Sequence, residues 1–302
     1  MKHMDSHTRF VEPSAGPGTE RLLVSILVRA QNDESLLRRT LEGIFAQQSD
    51  VPFEVLLCVD DSIDRTREVA AEFPVRFLER PAGAYKPGRT LNAMVRAAKG
   101  DIVVFNNSDS VPLNDSWLAE LLKPLLATPE QPMFTFANQA PRQDATALVR
   151  KDSERAFGDG RVQATWNFFF SLASSATWRR LLLETPFDEG IQFSEDVEWA
   201  WRNSRRPVNP VSIVYCPAAL VEHSHNYTLA QLARRFRGEG RADRAIFGEQ
   251  PSLFRELAGA GRETLRDFAY LAARPGDWCE LPVAPVRRLV QRLSHWRGMR
   301  EG

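Results

Sequence analysis

The sequence DIVVFNNSDSVP, residues 101–112, runs from a short apolar segment directly into a cluster of polar side chains. Residues 102–104 form a β-branched run that is typical of a buried strand. Amide, hydroxyl and carboxylate oxygens follow at once, and Asp109 is the carboxylate among them. Ligands of open α/β sheets bind at the carboxyl ends of the strands. The segment therefore predicts a site there for a hard cation such as Mg²⁺ or Mn²⁺.

Apolar segments and amphipathic helical segments alternate on both sides of this stretch. The predicted strands are 22–28, 53–59, 75–78, 102–105, 133–137, 211–215 and 220–223. The predicted helices are 34–48, which Asn32 or Asp33 can cap, 64–72, 88–98, 117–126 and 194–203. Residues 162–175 fit either a buried strand or a loop. Strands and helices that alternate at this spacing predict an α/β fold with a mostly parallel central sheet flanked by helices.

The composition restricts the class of protein. The chain has 302 residues, of which 43% are hydrophobic, and its 39 basic residues equal its 39 acidic residues. Charge balance gives no overall attraction to nucleic acid. Cys58, Cys216 and Cys279 are widely spaced, which argues against a disulfide framework and indicates a reducing cytoplasm. The apolar run 22–28 is too short to span a bilayer and lacks the layout of a secretory signal.

The two ends of the chain differ from the central pattern. Residues 1–19 are rich in Pro, Gly, Ser and Thr and are expected to form a disordered tail, so the main domain is predicted to span 20–228. Residues 229–302 contain 14 arginines, 9 acidic residues and no lysine, in patterns that predict a C-terminal helical appendage. The basic amphipathic stretch 286–300 fits contact with an anionic membrane or packing on the main domain or on a second subunit.

Polar residues also follow the first two predicted strands. Asp60 and Asp61 come directly after the second strand, where they can hold a pyrimidine and a ribose or simply cap a helix. Arg29 and Gln31 end the first strand at the same edge of the sheet, which favours a nucleotide pocket.

The start of the third predicted helix carries two further polar groups. Arg89 can meet a phosphate, and Asn92 can bind a sugar hydroxyl or a backbone group. For Arg89, a solvated position at a helix start explains the sequence equally well.

Two segments carry groups suited to proton transfer or metal binding. Ser194 can cap a helix, so Glu195 and Asp196 fall in its first turn, where the helix dipole stabilises their ionised forms. A carboxylate held there can act as a general base, although capping alone explains the same segment. His223 and His225 follow a short strand. If that strand continues, they point to opposite faces and at most one joins a given metal.

These segments, in this order, resemble the family 2 glycosyltransferases of the GT-A fold over residues 21–230. The stretch 107–109 stands at the DxD metal motif of that family, and Asp60 and Asp61 match its nucleotide-binding acids. Glu195-Asp196 matches the acceptor-side motif whose aspartate is the usual base, and His223 matches the histidine that often completes the metal site. The segments NQAPR (138–142), FSLASS (170–175) and HSHNY (223–227) look like those of bacterial rhamnosyltransferases.

The resemblance implies a hexosyltransferase that inverts the anomeric carbon during cell-surface polysaccharide synthesis. The donor is a dTDP or UDP sugar, with dTDP-rhamnose favoured, and the acceptor is a saccharide or lipid-linked hydroxyl. The resemblance is also compatible with an oligomer and with peripheral contact with the inner face of the membrane. It implies Mg²⁺ or Mn²⁺ held by Asp109 together with His223 or His225, with Asp196 as the base and Glu195 as the second candidate. The implied nucleotide-sugar ligands are Arg29, Gln31, Asp60, Asp61, Arg89, Asn92, Asn107 and Ser108.

One position departs from the family pattern. Asn107 replaces the first acid of the DxD motif and removes one negative charge. That change supports an alternative function as a nucleotide-sugar-binding scaffold or regulatory protein without turnover. A nucleotidyltransferase is disfavoured, because residues 29–34 lack the glycine-rich phosphate loop of that class.

Overall fold

The computed structural model describes residues 22–158, 160–162 and 168–302, in which a mixed sheet is flanked by helices and extended by three C-terminal helices. The strands are β1 (Val24–Ala30), β2 (Phe53–Val59), β3 (Arg76–Leu78), β4 (Ile102–Asn107), β5 (Val111–Pro112), β6 (Met133–Ala140), β7 (Ser174–Trp178) and β8 (Ser212–Glu222). The helices are α1 (Glu34–Phe45), α2 (Thr66–Ala71), α3 (Pro87–Ala97), α4 (Trp117–Ala127), α5 (Ala147–Ser153), α6 (Arg179–Glu184), α7 (Glu195–Ser204), α8 (Leu229–Phe247), α9 (Leu253–Ala272) and α10 (Val283–Met299).

The strands are ordered β3-β2-β1-β4-β7-β6-β8-β5 across the sheet. The pairs β1–β2, β1–β4, β2–β3 and β6–β8 are parallel, and those that involve β7 or β5 are antiparallel. This arrangement confirms the predicted α/β fold. Arg29 of β1 is in register with Cys58 of β2 and with Asn107 of β4, so the polar residues after these strands gather at one edge.

Both faces of the sheet are covered by apolar side chains, as a parallel sheet requires. Ile26 and Val28 of β1 point to the layer that contains α1 and α4, whereas Leu27 points to the opposite layer with Phe134 and Trp199. The alternation follows from the period of two along a strand. Helix α1 buries Leu37, Leu41 and Ile44 on one stripe, as its sequence pattern predicts.

Three predictions about elements need correction or lie outside the described residues. The segments 211–215 and 220–223 belong to one strand, β8, which ends at Glu222 and has an irregular register with β6. The sequence of residues 162–175 fits either a strand or a loop. The last two residues of this segment form the start of β7. The predicted disordered tail, residues 1–19, lies outside the described part.

The C-terminal helices pack closely on one another and on α5. Thr228 and Gln231 form a capping box that starts α8. Asp267 of α9 is fully buried and accepts hydrogen bonds from Lys151 of α5 and Arg288 of α10. Arg287 and Arg288 therefore lie on the inner side of α10, and the predicted basic stretch does not present these two charges to solvent.

Candidate active site

Three cavities meet at the edge of the sheet where β1, β2 and β4 end. The first, ≈ 620 Å³, lies between α7 and α8; the second, ≈ 310 Å³, lies above the ends of these strands. The third, ≈ 320 Å³, lies between α5, α8 and α10. His225 lines all three, so the segment that follows β8 is the junction of the site.

A carboxylate and two imidazoles come together at this junction. His223 Nε2 lies 3.5 Å from Asp109 Oδ1, and His225 Nε2 lies 3.5 Å from Asp109 Oδ2. Their candidate ligand atoms all lie within 4.8 Å of one another. Both histidines reach Asp109, and even a continued strand would place them on one face, because side chains two residues apart along a strand point the same way. The sequence interpretation that at most one could join is wrong for this reason.

The hydrogen bonds of His223 suit a metal ligand. Its Nδ1 pairs with Gln139 Oε1 at 2.9 Å, which fixes a tautomer whose Nε2 faces Asp109. That Nε2 is buried without a hydrogen-bond partner among the described residues. Burial lowers the pKa of His223 to about 4, so the ring is neutral near pH 7 and its lone pair is free to coordinate. Burial also lowers the pKa of His225.

Asp33 adds a second carboxylate that the sequence interpretation assigned only to helix capping. It occupies the N-cap position of α1, yet its side chain makes no capping hydrogen bond. It accepts a hydrogen bond from Ser108 Oγ and lines the second cavity with Asp109. Burial and, to a smaller extent, the charge of Asp109 raise the pKa of Asp33. The signal in the sequence was its place after β1, at the same edge as Arg29.

Glu195 and Asp196 fall in the first turn of α7 and line the first cavity, as expected. Burial and, to a smaller extent, the charge of the neighbouring Glu195 raise the pKa of Asp196 to about 6. Ser194 sits at the N-cap with a left-handed φ of 59° and makes no side-chain capping bond, contrary to expectation. A strained backbone conformation of this kind persists only where the surrounding structure holds it in place, and such conformations are common at functional sites.

Arg29 links the end of β1 to these acids. Its Nη1 lies 3.4 Å from Glu195 Oε1 and donates a 3.3 Å hydrogen bond to the Tyr85 hydroxyl. It lines both the first and the second cavity, as does Asn107. The two predicted nucleotide-sugar ligands thus lie where a donor in the second cavity would meet an acceptor in the first.

The predicted nucleotide acids differ in position. Asp60 lines the second cavity with Gln31 and Ser108, whereas the Asp61 side chain is 80% exposed. Arg80 forms ion pairs with both acids. The structure therefore brings Asp60 to the cavity and leaves Asp61 on its rim.

Two other predicted ligands lie apart from the three cavities described. Arg89 is exposed at the start of α3. Asn92 is buried, donates to Phe187 O at 2.9 Å and accepts from Phe187 N at 3.0 Å. Its amide thus binds a backbone group, the second of its two predicted roles, and holds the segment that leads to α7.

Comparison with known proteins identifies the family of the chain. A family model described as Glycosyl transferase family 2 matches residues 25–184, more than half of the chain. The chain therefore belongs to glycosyltransferase family 2 and is an enzyme of that class.

Two curated relatives and two solved structures illustrate the similarity. The O-antigen chain rhamnosyltransferase WbaN of Salmonella anatum is 27% identical over 276 residues, 84% of each chain. RfbN of Salmonella typhimurium, also an O-antigen chain rhamnosyltransferase, is 25% identical over 301 residues, 91% of each chain. The mannosyltransferase PcManGT of Pyrobaculum calidifontis, solved with GDP-Man and Mn²⁺, has a TM-score of 0.60 at 19% identity and covers 91% of this chain and 88% of its own. Glucosyl-3-phosphoglycerate synthase of Mycobacterium tuberculosis, solved with Mn²⁺, UDP-glucose and phosphoglyceric acid, has a TM-score of 0.57 at 19% identity and covers 76% and 82%. These structures identify the fold as GT-A.

Proposed function

We propose that this enzyme transfers a sugar from a nucleoside diphosphate to an acceptor hydroxyl with inversion of the anomeric carbon. The observation that carries the proposal is the first cavity, which contains a half-buried carboxylate, Asp196, together with His223 and His225 of the candidate metal cluster. Such a transfer needs a base for the acceptor hydroxyl and a site that stabilises the departing diphosphate. The first cavity contains a candidate for each.

The donor that the similarity supports is dTDP-rhamnose. Both curated relatives are O-antigen chain rhamnosyltransferases and match most of the chain. The acceptor is accordingly a saccharide or lipid-linked hydroxyl in the synthesis of a surface polysaccharide. In this function the protein works in the cytoplasm.

Of the two expected cations, Mn²⁺ fits the cluster better than Mg²⁺. Two imidazole nitrogens and one carboxylate form a softer set than the oxygen ligands that Mg²⁺ prefers. The orphaned Nε2 of His223 supplies a lone pair for it. When bound, the cation neutralises charge on the departing diphosphate. Asp33 lines the second cavity with Asp109 and offers a further carboxylate there, which weakens the case for a scaffold without turnover.

The remaining residues act on the acceptor and the donor. Asp196 accepts the proton of the attacking hydroxyl, and its raised pKa makes it a stronger base than an exposed aspartate. Glu195 and Arg29 form an ion pair that holds Asp196 beside the cavity. Asp60 and Gln31 hold the nucleoside in the second cavity, where Asn107 and Ser108 face the diphosphate.

The test is the substitution Asp196→Asn, which keeps the shape of the side chain and removes the base. We expect transfer to fall by about 10²–10⁴ because a positioned base contributes that much, while binding of dTDP with Mn²⁺ persists. Release of dTDP in the presence of acceptor and equilibrium dialysis measure the two quantities. Asp50→Asn, in an exposed loop before β2, is the matched control. A transfer rate near that of the control in Asp196→Asn overturns the assignment.

A further inference from the structure

The third cavity contains a buried cation that the proposed reaction does not use. Arg287 of α10 lines it and is only 9% exposed. Its Nε is buried without a hydrogen-bond partner among the described residues. The nearest carboxylate oxygen, Asp152 Oδ2, is 3.9 Å from Arg287 Nη2, beyond hydrogen-bond distance. Burial lowers the pKa of Arg287, as expected for a poorly compensated charge.

The carboxylates around this arginine are already engaged. Asp152 accepts hydrogen bonds of 2.8 and 3.0 Å from Arg288, and Glu239 accepts one of 2.7 Å from Arg235. Glu280, a further acid near Arg287, accepts the backbone N–H groups at the start of α5. A buried cation whose neighbouring acids serve other partners is available to an anion from outside the protein.

A second unsatisfied donor faces the same cavity. Gln139 also lines it, and its Nε2 is buried without a hydrogen-bond partner among the residues described. Its Oε1 is occupied by His223, so the amide nitrogen is the group left over. Two orphaned donors, one of them charged, complement a group that only accepts hydrogen bonds.

We propose that the third cavity is a subsite for an oxyanion, a phosphate or carboxylate group carried by the acceptor. The third cavity shares His223, His225 and Tyr227 with the first cavity, where Asp196 lies. Of these three residues, only His225 also lines the second cavity. An anion bound at Arg287 is therefore placed on the acceptor side of the metal cluster. This assignment to the acceptor rests on the proposed function, because the cavity alone identifies only an anion.

Three variants of α10 separate a ligand role from a structural role. Arg287→Met removes the charge and keeps the length of the side chain, Arg287→Lys keeps the charge, and Arg297→Met removes an exposed arginine from the same helix. If Arg287 serves a ligand, Arg287→Met raises Tm or leaves it unchanged, since the variant no longer buries a poorly paired cation. A fall in Tm in Arg287→Met that Arg287→Lys does not show assigns Arg287 to structure and overturns the proposal.

Ligand binding is measured by thermal shift with inorganic phosphate and, separately, with glucuronate. Both series contain EDTA in one arm and saturating dTDP with Mn²⁺ in the other. At about ten times its Kd, an anion that binds the native state raises Tm by roughly 3–6 °C. We expect this shift in the wild-type protein and in Arg297→Met, a smaller one in Arg287→Lys, and its loss in Arg287→Met. Comparing the two anions distinguishes a phosphate from a carboxylate.

The dTDP arm separates this subsite from the donor site. A phosphate shift that persists with dTDP and Mn²⁺ places the anion outside the second cavity, and a shift that disappears assigns it to the donor and overturns the proposal. Equal shifts in Arg287→Met and wild type also overturn it. The proposed function is tested separately, by donor turnover in the wild-type protein. If that test fails, anion binding at Arg287 still stands as an independent result.

Discussion

The Asp196 carboxylate is half-buried beside a second carboxylate, Glu195, and both features affect the pH at which it can accept a proton. Burial penalises the charged form and is the larger cause of its raised pKa; repulsion from Glu195 is the smaller cause. Arg29 contacts Glu195 and so partly offsets that repulsion. Asp196 must be ionised to accept the proton of the acceptor. Because its pKa is raised, it becomes protonated at a higher pH than an ordinary aspartate.

The rate of transfer should depend on pH through this carboxylate. We expect kcat/KM to fall below a pH of about 6, the pKa to which burial and Glu195 raise Asp196. In Glu195→Gln the repulsion is removed, so the acid limb should move to lower pH. Glu184→Gln, on the exposed side of α6, should not move it. The pH profile of kcat/KM measures the limb, and a shift to higher pH in Glu195→Gln contradicts the assignment of Asp196.

Gln139 positions a candidate metal ligand without touching the metal. It fixes the tautomer of His223, and partners of this kind are worth about 10–100-fold in metal affinity. We therefore expect Gln139→Leu to weaken Mn²⁺ binding by about that factor and Asp109→Asn to weaken it further. The control is Gln131→Leu, at an exposed glutamine just before β6 begins, away from Gln139 near the end of that strand. Free Mn²⁺ is counted by electron paramagnetic resonance, and equal affinities in the two glutamine variants contradict the role of Gln139.

Sequence patterns identify residues of the site when the chain order itself places them. Asp109 follows a predicted strand, and the end of a strand is a known position in space. The use of Asp33 is harder to predict, because its place after β1 points to the same edge but the same residue type before a helix is an ordinary cap. For Asn92 the sequence leaves a sugar hydroxyl and a backbone group open, and only the fold shows that the Phe187 backbone takes up its amide.

Glycines allow α8 and α10 to approach until their backbones touch. A Cβ added at Gly240 would lie 2.1 Å from the His295 carbonyl oxygen, and one at Gly298 would lie 2.1 Å from that of Arg237. His295 adds an electrostatic contact between the helices: burial lowers its pKa, but hydrogen bonds and attraction from Asp243 and Glu256 raise it to about 9. The ring is therefore charged near pH 7 and ties α8 to α9 and α10.

Substitutions at these glycines should destabilise the protein. Gly240→Ala and Gly298→Ala force two backbones apart, and overpacking of this kind costs about 1–3 kcal/mol in the free energy of unfolding. Gly261→Ala is the control, because a Cβ there meets nothing within 4 Å and alanine favours a helix. Urea denaturation measures the three variants. A Gly240→Ala variant as stable as Gly261→Ala contradicts the close contact.

The sequence predicts that these elements are helices but not which way α10 faces. Its arginines and apolar residues suggest a basic outer face, yet Arg287 and Arg288 are buried while Val286 is 46% exposed. For Arg288 the reason is tertiary: Asp152 and Asp267, distant in sequence, accept its hydrogen bonds. The merger of two predicted strands into β8 also depends on a distant partner, β6.

The predicted boundary at residue 229 divides a site that both parts build. Gln231, Arg234 and Glu239 of α8 line the first cavity opposite Asp196. Gly238 packs against the ring of Phe193, just before α7. Helix α8 therefore forms a wall of the candidate site, and the domain boundary at residue 229 stays a prediction.

Helix α9 separates its charges between two sides. All three of its acidic residues are buried, as Glu256, Glu263 and Asp267 face α10 and α5. Its outer side exposes Phe254 (83%) and Leu265 (69%), three turns apart on one stripe. Arg255 and Arg262 are exposed beside that stripe. An apolar stripe bordered by cations fits the surface of an anionic bilayer, and in the described residues no helix is long and apolar enough to cross one.

The exposed stripe of α9 predicts binding to anionic lipid that specific substitutions should reduce. The full chain should co-sediment with vesicles that contain phosphatidylglycerol, and less so as salt rises, because the cations act through screened attraction. Phe254→Ser combined with Leu265→Ser should reduce binding, since both side chains then cannot enter the interface. Val208→Ser, 70% exposed in the loop before β8, controls for the loss of an exposed apolar residue elsewhere. Equal sedimentation of the double variant and the control refutes membrane contact. A dimer that the double variant alone disrupts, measured by analytical ultracentrifugation, assigns the stripe to a second subunit instead.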